Sequence, residues 1–123
     1  MAPLVKKVFV FDCAGLVAVV LFRGRNYRVV TRWSEELSIR GAKFVAFVLK
    51  KKAEENVEFL EPRRDLIVRI GSRYIIALQH KLPRNHARKL LMKISEILSA
   101  LRTFDPVEIG EVAAKTIIAE LMG

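Results

Sequence analysis

Three short runs of strand-forming residues follow one another in the first third of the chain, with only turn-length connections between them. Lys6 to Asp12 is rich in valine and phenylalanine, Leu16 to Phe22 is continuously apolar, and Tyr27 to Trp33 mixes β-branched and aromatic residues with arginines. Such residues favour strands, and short connections join neighbouring antiparallel strands. The sequence therefore predicts an antiparallel meander whose apolar second strand is covered on both faces.

A helix is predicted to follow the meander. Ser34, or Ser38 a little later, suits the start of this helix, and Lys50 to Lys52 suit its C-terminal end. Apolar residues occupy most of the helix circumference, so we expect it to be sandwiched between the sheet and something else. The residues at three- and four-residue spacing are Ala42, Val45, Ala46, Leu49 and Ala53, and those that widen the stripe are Phe44, Phe47 and Val48.

The second half of the chain repeats the change from strands to helices. Leu66 to Ile70 and Tyr74 to Gln79 form a second predicted hairpin, and Val57 to Leu60 is an optional short strand before it. An amphipathic helix follows, and Asp105-Pro106-Val107-Glu108 is a strong start for a third helix. The order β-β-β-α-β-β-α-α predicts an α+β fold with a five-stranded, mainly antiparallel sheet and helices packed on one face.

Charge divides the chain into two regions. The whole chain carries a net +9; residues 1–93 hold 20 basic and 8 acidic side chains, and residues 94–123 hold 2 and 5. A basic body attracts a polyanion, whereas an acidic segment does not. We therefore expect residues 1–103 to form a nucleic-acid-binding domain and residues 104–123 to form a helix that mediates assembly.

Several function classes lack the residues they need. No apolar run is long enough to span a membrane, and no signal peptide is recognised at the start of the sequence. His80 and His86 have no partners at metal-ligand spacing, and Cys13 is predicted to be a buried structural thiol. No phosphate-cradling loop or catalytic constellation is found. These patterns predict a cytoplasmic protein that is not an enzyme and needs no metal or cofactor. The single glutamine and three asparagines favour a thermophilic source.

Both hairpins carry arginines beside aromatic rings. Guanidinium groups hold phosphates, and exposed rings stack on unpaired bases, so this pairing is typical of single-strand binding with little sequence preference. The predicted phosphate contacts are Arg23, Arg25, Arg28, Arg32, Arg69 and Arg73, and the predicted stacking residues are Tyr27, Trp33 and Tyr74. The partner would be single-stranded DNA, with RNA as an alternative.

A purely structural interpretation exists for each hairpin. The first hairpin would have a solvated basic tip, with Tyr27 and Trp33 in the core. In the second, Arg69 and Arg73 would form salt bridges to nearby carboxylates, for which the candidates are Glu58, Glu61 and Asp65.

The basic α+β layout and the cluster Arg23-Gly24-Arg25-Asn26-Tyr27-Arg28, followed by Arg32-Trp33, resemble the ThermoDBP-related single-stranded DNA-binding proteins of hyperthermophilic archaea. The resemblance covers about residues 5–100. It implies a hydrophobic cleft floor, basic flanks and a C-terminal oligomerisation element. The element order also resembles longin and roadblock domains, which implies a protein scaffold around small GTPases.

The C-terminal helix needs a partner for its apolar stripe. It would pack either against the second helix or against another subunit. We expect a homodimer or homotetramer, which would join several grooves into one binder. The residues predicted to contribute subunit contacts are Val107, Val112, Ile117, Ile118 and Leu121.

Overall fold

One open antiparallel sheet of six strands organises the part of the chain that the computed structural model describes, residues 4–122. Three helices complete this α+β architecture. The elements in chain order are β1 Val5–Asp12, β2 Gly15–Arg23, β3 Asn26–Val30, α1 Glu35–Glu55, β4 Phe59–Arg63, β5 Leu66–Ile70, β6 Ile75–His80, α2 Arg84–Ala100 and α3 Pro106–Met122.

The strand order is β3-β2-β1-β6-β5-β4. The first strand of the chain, β1, and the last, β6, are therefore neighbours at the centre of the sheet. Val8 pairs with Leu78 and Val10 pairs with Ile76 across that join. The meander predicted from the sequence is present. The prediction of five strands is wrong, because β4 forms a sixth strand at the edge. Pro62 is tolerated there, since an edge strand has one side free of ladder hydrogen bonds.

The helices cover both faces of the sheet, and the prediction that they share one face is wrong. Ile76 and Leu78 of β6 lie in the core with α2 and α3, whereas Ile75 and Ala77 lie in a second core with α1. Side chains alternate across a strand. A strand that is apolar at every position therefore requires cover on both sides.

Capping residues fix where the helices begin and end. The Ser34 hydroxyl accepts a hydrogen bond from the Leu37 amide at 3.2 Å, as predicted for a serine cap. Asn56 ends α1 in the left-handed conformation with φ of 51°. The Asp105 carboxylate accepts from the Val107 amide at 3.1 Å, which confirms the predicted start of α3.

Helix α3 belongs to the main core, where it packs on β2, β3 and α2. Ile117 is fully buried there, and Val112, Ile118 and Leu121 are partly buried against the same core. Of the five residues predicted to make subunit contacts, only Val107 is exposed. The apolar stripe of α3 is therefore buried within the chain, which is the alternative that the sequence left open.

The closest approach of α3 to the sheet is at Gly110. A Cβ at this position would overlap the Cγ1 methyl of Val29 in β3 and lie 3.3 Å from its Cγ2. A β-branched side chain has little freedom to turn away. Glycine is therefore required at this helix–strand contact.

We expect Gly110→Ala to lower the free energy of unfolding by about 1–2 kcal/mol, since overpacking costs more than the gain in helix propensity. In a Val29→Ala background the same change should be neutral or stabilising, because the obstructing methyls are gone. Urea unfolding of the four proteins in this cycle measures the difference. Equal effects of Gly110→Ala in both backgrounds would contradict the contact.

Candidate nucleic-acid interface

Helix α1 crosses only one end of its face of the sheet. Val45 and Val48 pack in a core with Ile70 and Ile75, and Gly41 lies against Leu16 just after the β1–β2 turn. An open groove with a volume of about 420 Å³ lies beside α1, between this helix and the part of the sheet face that it leaves uncovered. We call it the sheet groove. The residues that line it are Lys7, Phe9, Phe11, Leu16, Leu37, Arg40, Gly41, Phe44, Arg63, Leu66, Ala77 and Gln79.

The pairing of the strands extends the sheet groove as one row of side chains, with one residue from each of the six strands. Residues opposite one another in adjacent antiparallel strands point to the same face. The row is Arg28 on β3, Leu21 on β2, Lys7 on β1, Gln79 on β6, Leu66 on β5 and Arg63 on β4. It therefore has an arginine at each end, a lysine near the middle and apolar or neutral residues between them.

Aromatic rings form the inner wall of the sheet groove. The Phe9 and Phe11 rings stack with centroids 6.3 Å apart, and Phe44 of α1 lies 5.0 Å from Phe11. Phe11 is buried, whereas Phe9 is half-buried and lines the open part. The groove thus offers two half-buried rings, Phe9 and Phe44, on either side of the buried Phe11 ring.

The cations around the groove differ in how they are paired. Arg40 lies 3.3 Å from Glu36, and Arg63 lies 3.3 Å from Asp65, both in largely exposed pairs. Exposed ion pairs of this kind are weak, so an incoming phosphate can compete with them. Within residues 4–122, Lys7 and Arg28 have no carboxylate within salt-bridge distance.

Asp65 is held at the edge of the sheet groove by Gln79, whose amide nitrogen donates to the carboxylate at 3.3 Å. This hydrogen bond, with the nearby Arg63 guanidinium, lowers the pKa of Asp65 below its usual value. The carboxylate is therefore ionised near neutral pH and partly offsets Arg63. The positive charge of the row is greatest toward Lys7 and Arg28.

The four arginines predicted on the first hairpin are exposed. Arg23, Arg25, Arg28 and Arg32 have no salt-bridge partner in the described part of the chain. Arg28 belongs to the groove row, and the others flank it at the end of β2, in the turn and after β3. Trp33 is half-buried immediately before the Ser34 cap, and so retains some accessible ring.

Tyr27 does not belong to this surface. It pairs with Phe22, faces the core with α3 and donates a hydrogen bond to the Glu111 carboxylate of that helix. This hydrogen bond, with partial burial, raises the pKa of the Tyr27 hydroxyl above its usual value. The ring anchors α3 to β3, so the structure does not bring Tyr27 to the groove with the other predicted contacts.

Arg69 is also a structural residue. Its guanidinium donates to Glu58 at 3.1 Å and to the Ser95 hydroxyl of α2 at 3.4 Å, and it lies 5.2 Å from the Phe59 ring. The Arg69 side chain is only 17% exposed. The alternative of a salt bridge to Glu58 is confirmed, and the structure does not bring Arg69 to the groove.

Arg73 holds the connection between α2 and α3. It donates to the Leu101 carbonyl at 2.6 Å and to the Thr103 carbonyl at 3.5 Å, and it lies between the rings of Tyr74 and Phe104. Tyr74 is 4% exposed and lies in the core with α2 and α3. These two residues therefore lie with α2 and α3, on the opposite side of the sheet from the groove, and the structure does not bring them together with the first hairpin.

Sequence reasoning missed the groove residues outside the first hairpin, chiefly Lys7, Phe9, Arg40 and Arg63. Alternation along β1 places Lys7 and Phe9 on one face, which was visible in the sequence. The pairing of β1 with β6 and the partial cover by α1 were not. Those two features bring Arg40 and Arg63 to the same groove.

None of the helices within residues 4–122 combines the length and the apolar character needed to span a membrane. The described side chains contain no group of three or more histidine, cysteine or carboxylate residues placed to hold a metal ion. Comparisons with protein-family models, with curated proteins and with solved structures give no match.

We expect Arg73→Ala to lower the free energy of unfolding by about 1–2 kcal/mol, because two carbonyls lose a charged donor. Its affinity for single-stranded oligonucleotides should stay within twofold of that of the unchanged protein. Urea unfolding and fluorescence titration measure the two quantities. Arg28→Ala is the matched control: its free energy of unfolding should be unchanged, and its affinity for oligonucleotides should fall. An Arg73→Ala protein of unchanged stability with weakened binding would contradict the assignment.

Proposed function

We propose that this protein binds single-stranded nucleic acid, DNA or RNA, along the sheet groove and with little sequence preference. The observation that carries the proposal is the row of groove cations beside an accessible aromatic and apolar floor. Phosphates would contact Lys7, Arg28, Arg40 and Arg63, and a base would stack on Phe9. No catalytic step is part of this function.

The dimensions and charge of the row favour an extended polyanion. Six strands spaced ~4.8 Å apart give a row about 24 Å long, which is enough for several nucleotides. An unstacked base has an apolar face that gains from contact with a ring, whereas the bases of a duplex are already covered. The groove presents no helix for insertion into a duplex groove, because α1 lies flat along the sheet face. These features favour single strands over duplexes.

The exposed hairpin arginines extend the path beyond the groove. Arg23, Arg25 and Arg32 lie beside Arg28 at one end of the row, so a strand leaving the groove would meet further cations. Trp33, the single tryptophan of the chain, lies between β3 and α1 and provides an intrinsic fluorescence signal. Binding through such contacts is strongly salt-dependent, because each neutralised phosphate releases condensed counterions.

A fluorescence titration with oligo-dT at several salt concentrations tests the proposal. If four groove cations each neutralise a phosphate, log K should fall with log salt with a slope of about −3. Lys7→Ala/Arg28→Ala should weaken binding about tenfold at low salt and reduce the slope by about 1–2.

The matched control is Arg102→Ala/Lys115→Ala, which removes two exposed cations outside the groove. It loses the same net charge and should leave the affinity within about threefold. Equal weakening by both pairs would show that net charge, not the groove, causes binding. Absence of micromolar binding to oligo-dT and to poly-U at low salt would contradict the proposal.

The second candidate is the protein-scaffold function implied by the resemblance to longin and roadblock domains. Its specific support is an exposed apolar side of α1, where Ile39 is 49% and Leu49 is 43% exposed. Recovery of a small GTPase with the unchanged protein, together with its loss after Leu49→Asp, would support this function. The groove cations would have no role in it.

A further inference from the structure

Helix α1 carries a second apolar stripe that faces solvent. The residues buried beneath the helix are Gly41, Val45 and Val48. The outward residues recur at spacings of three, four, three and four, which keeps them on one side of a helix. This outer stripe consists of Ile39, Ala42, Ala46, Leu49 and Ala53, all of them exposed.

A second exposed apolar patch lies where α3 begins. Phe104 is 80% exposed and Val107 is 48% exposed. The Arg73 guanidinium lies 4.8 Å from the Phe104 ring, beneath it, and is itself fixed by the Leu101 and Thr103 carbonyls. A large ring held outward in this way is a suitable anchor for a partner surface. We call this second patch the α3 knob.

The outer stripe and the α3 knob are complementary in charge. Residues 39–52 contain five basic and no acidic side chains, of which Arg40, Lys50 and Lys51 form exposed ion pairs with Glu36, Glu54 and Glu55 of the same helix. Residues 104–111 contain three acidic and no basic side chains; Asp105 and Glu108 are exposed, whereas Glu111 accepts the hydrogen bond from Tyr27. They also lie on opposite faces of the sheet, since α1 covers one face and α3 covers the other. Within one chain the two surfaces therefore point away from each other. The outer stripe of one copy would match the α3 knob of a neighbouring copy.

We propose that the outer stripe of one copy receives the α3 knob of the next, so that copies assemble head to tail. Phe104 and Val107 would pack on the alanine-rich centre of the stripe, and the acidic residues of the knob would meet Lys43 and Lys50. Because the two surfaces differ, the contact is heterologous and closes into a ring or continues as a filament. Stripe-to-stripe pairing is disfavoured, since it places two lysine-rich segments together. This assembly does not depend on the proposed nucleic-acid binding.

Two complementary variants of the full chain test the proposal. Ile39→Asp/Leu49→Asp blocks the stripe, and Phe104→Ser/Val107→Ser removes the knob. Each leaves the other surface intact. Sedimentation equilibrium of the unchanged protein at tens of micromolar should give a mass above twice the 14.0 kDa chain mass. Each variant alone should sediment as a monomer, and their equimolar mixture should give a dimer and nothing larger.

That mixing result separates head-to-tail assembly from a two-fold dimer. A monomeric unchanged protein would overturn the proposal, as would a variant that keeps the native assembly. A mixture that stays monomeric would also overturn it.

Circular dichroism checks that each variant is folded. Lys43→Glu/Lys50→Glu serves as a second stripe variant, because it leaves the apolar residues untouched and should weaken assembly at least tenfold. Lys115→Ser is an exposed control and should assemble as the unchanged protein does.

Discussion

The pairing of β1 with β6 is the contact on which the rest of the structure depends. It joins residues that are about 70 positions apart, so it closes a long loop at an entropic cost. Burial on both faces of these strands offsets that cost. Val8, Val10 and Ile76 are enclosed by α2 and α3, and Phe11 and Ile75 are enclosed by α1. Loss of either cover would expose half of the central strands and weaken the join.

The same pairing determines what the sheet offers on its open side. It sets Lys7 next to Gln79 and so joins the row that begins at Arg28 to the row that ends at Arg63. Helix α1 leaves this row uncovered because it lies against Leu16 at one end of the sheet and then packs toward Ile70. The groove is thus a consequence of partial cover, and its cations come from separate segments of the chain.

Local patterns in the sequence were sufficient to predict helices and strands, but not to predict which of these elements lie next to one another. Five of the six strands, the Ser34 cap and the Asp105 start follow from chemistry that is local in the chain, and they were predicted. The edge strand β4 was left optional because a short run containing Pro62 has little signal until β5 lies beside it. The faces of the sheet were misassigned for a related reason. A strand that is apolar throughout shows that both sides are covered, and the sequence gives no direct indication of which helix covers each side.

The arginines show most clearly why the candidate site was only half predicted. Arg28 beside Tyr27 and Arg73 beside Tyr74 are alike in sequence, since both place a cation and a ring on a hairpin. Arg73 is bound by carbonyls that α2 and its connection to α3 bring close, and Tyr27 is bound by Glu111, which is 84 positions away. Arg28 has no such neighbour in the described chain and stays exposed.

Net charge therefore overstates the cationic surface that a polyanion can reach. Arginines that bind carbonyls or rings stabilise the helices against the sheet, and they are not available to phosphates without loss of those contacts. The exposed cations that remain are unevenly placed, and the sheet groove brings several of them beside a half-buried ring. A net charge of +9 makes attraction to nucleic acid general over the molecule. The coincidence of accessible charge with an accessible apolar floor is the reason for proposing the groove, rather than the whole basic surface, as the binding site for a single strand.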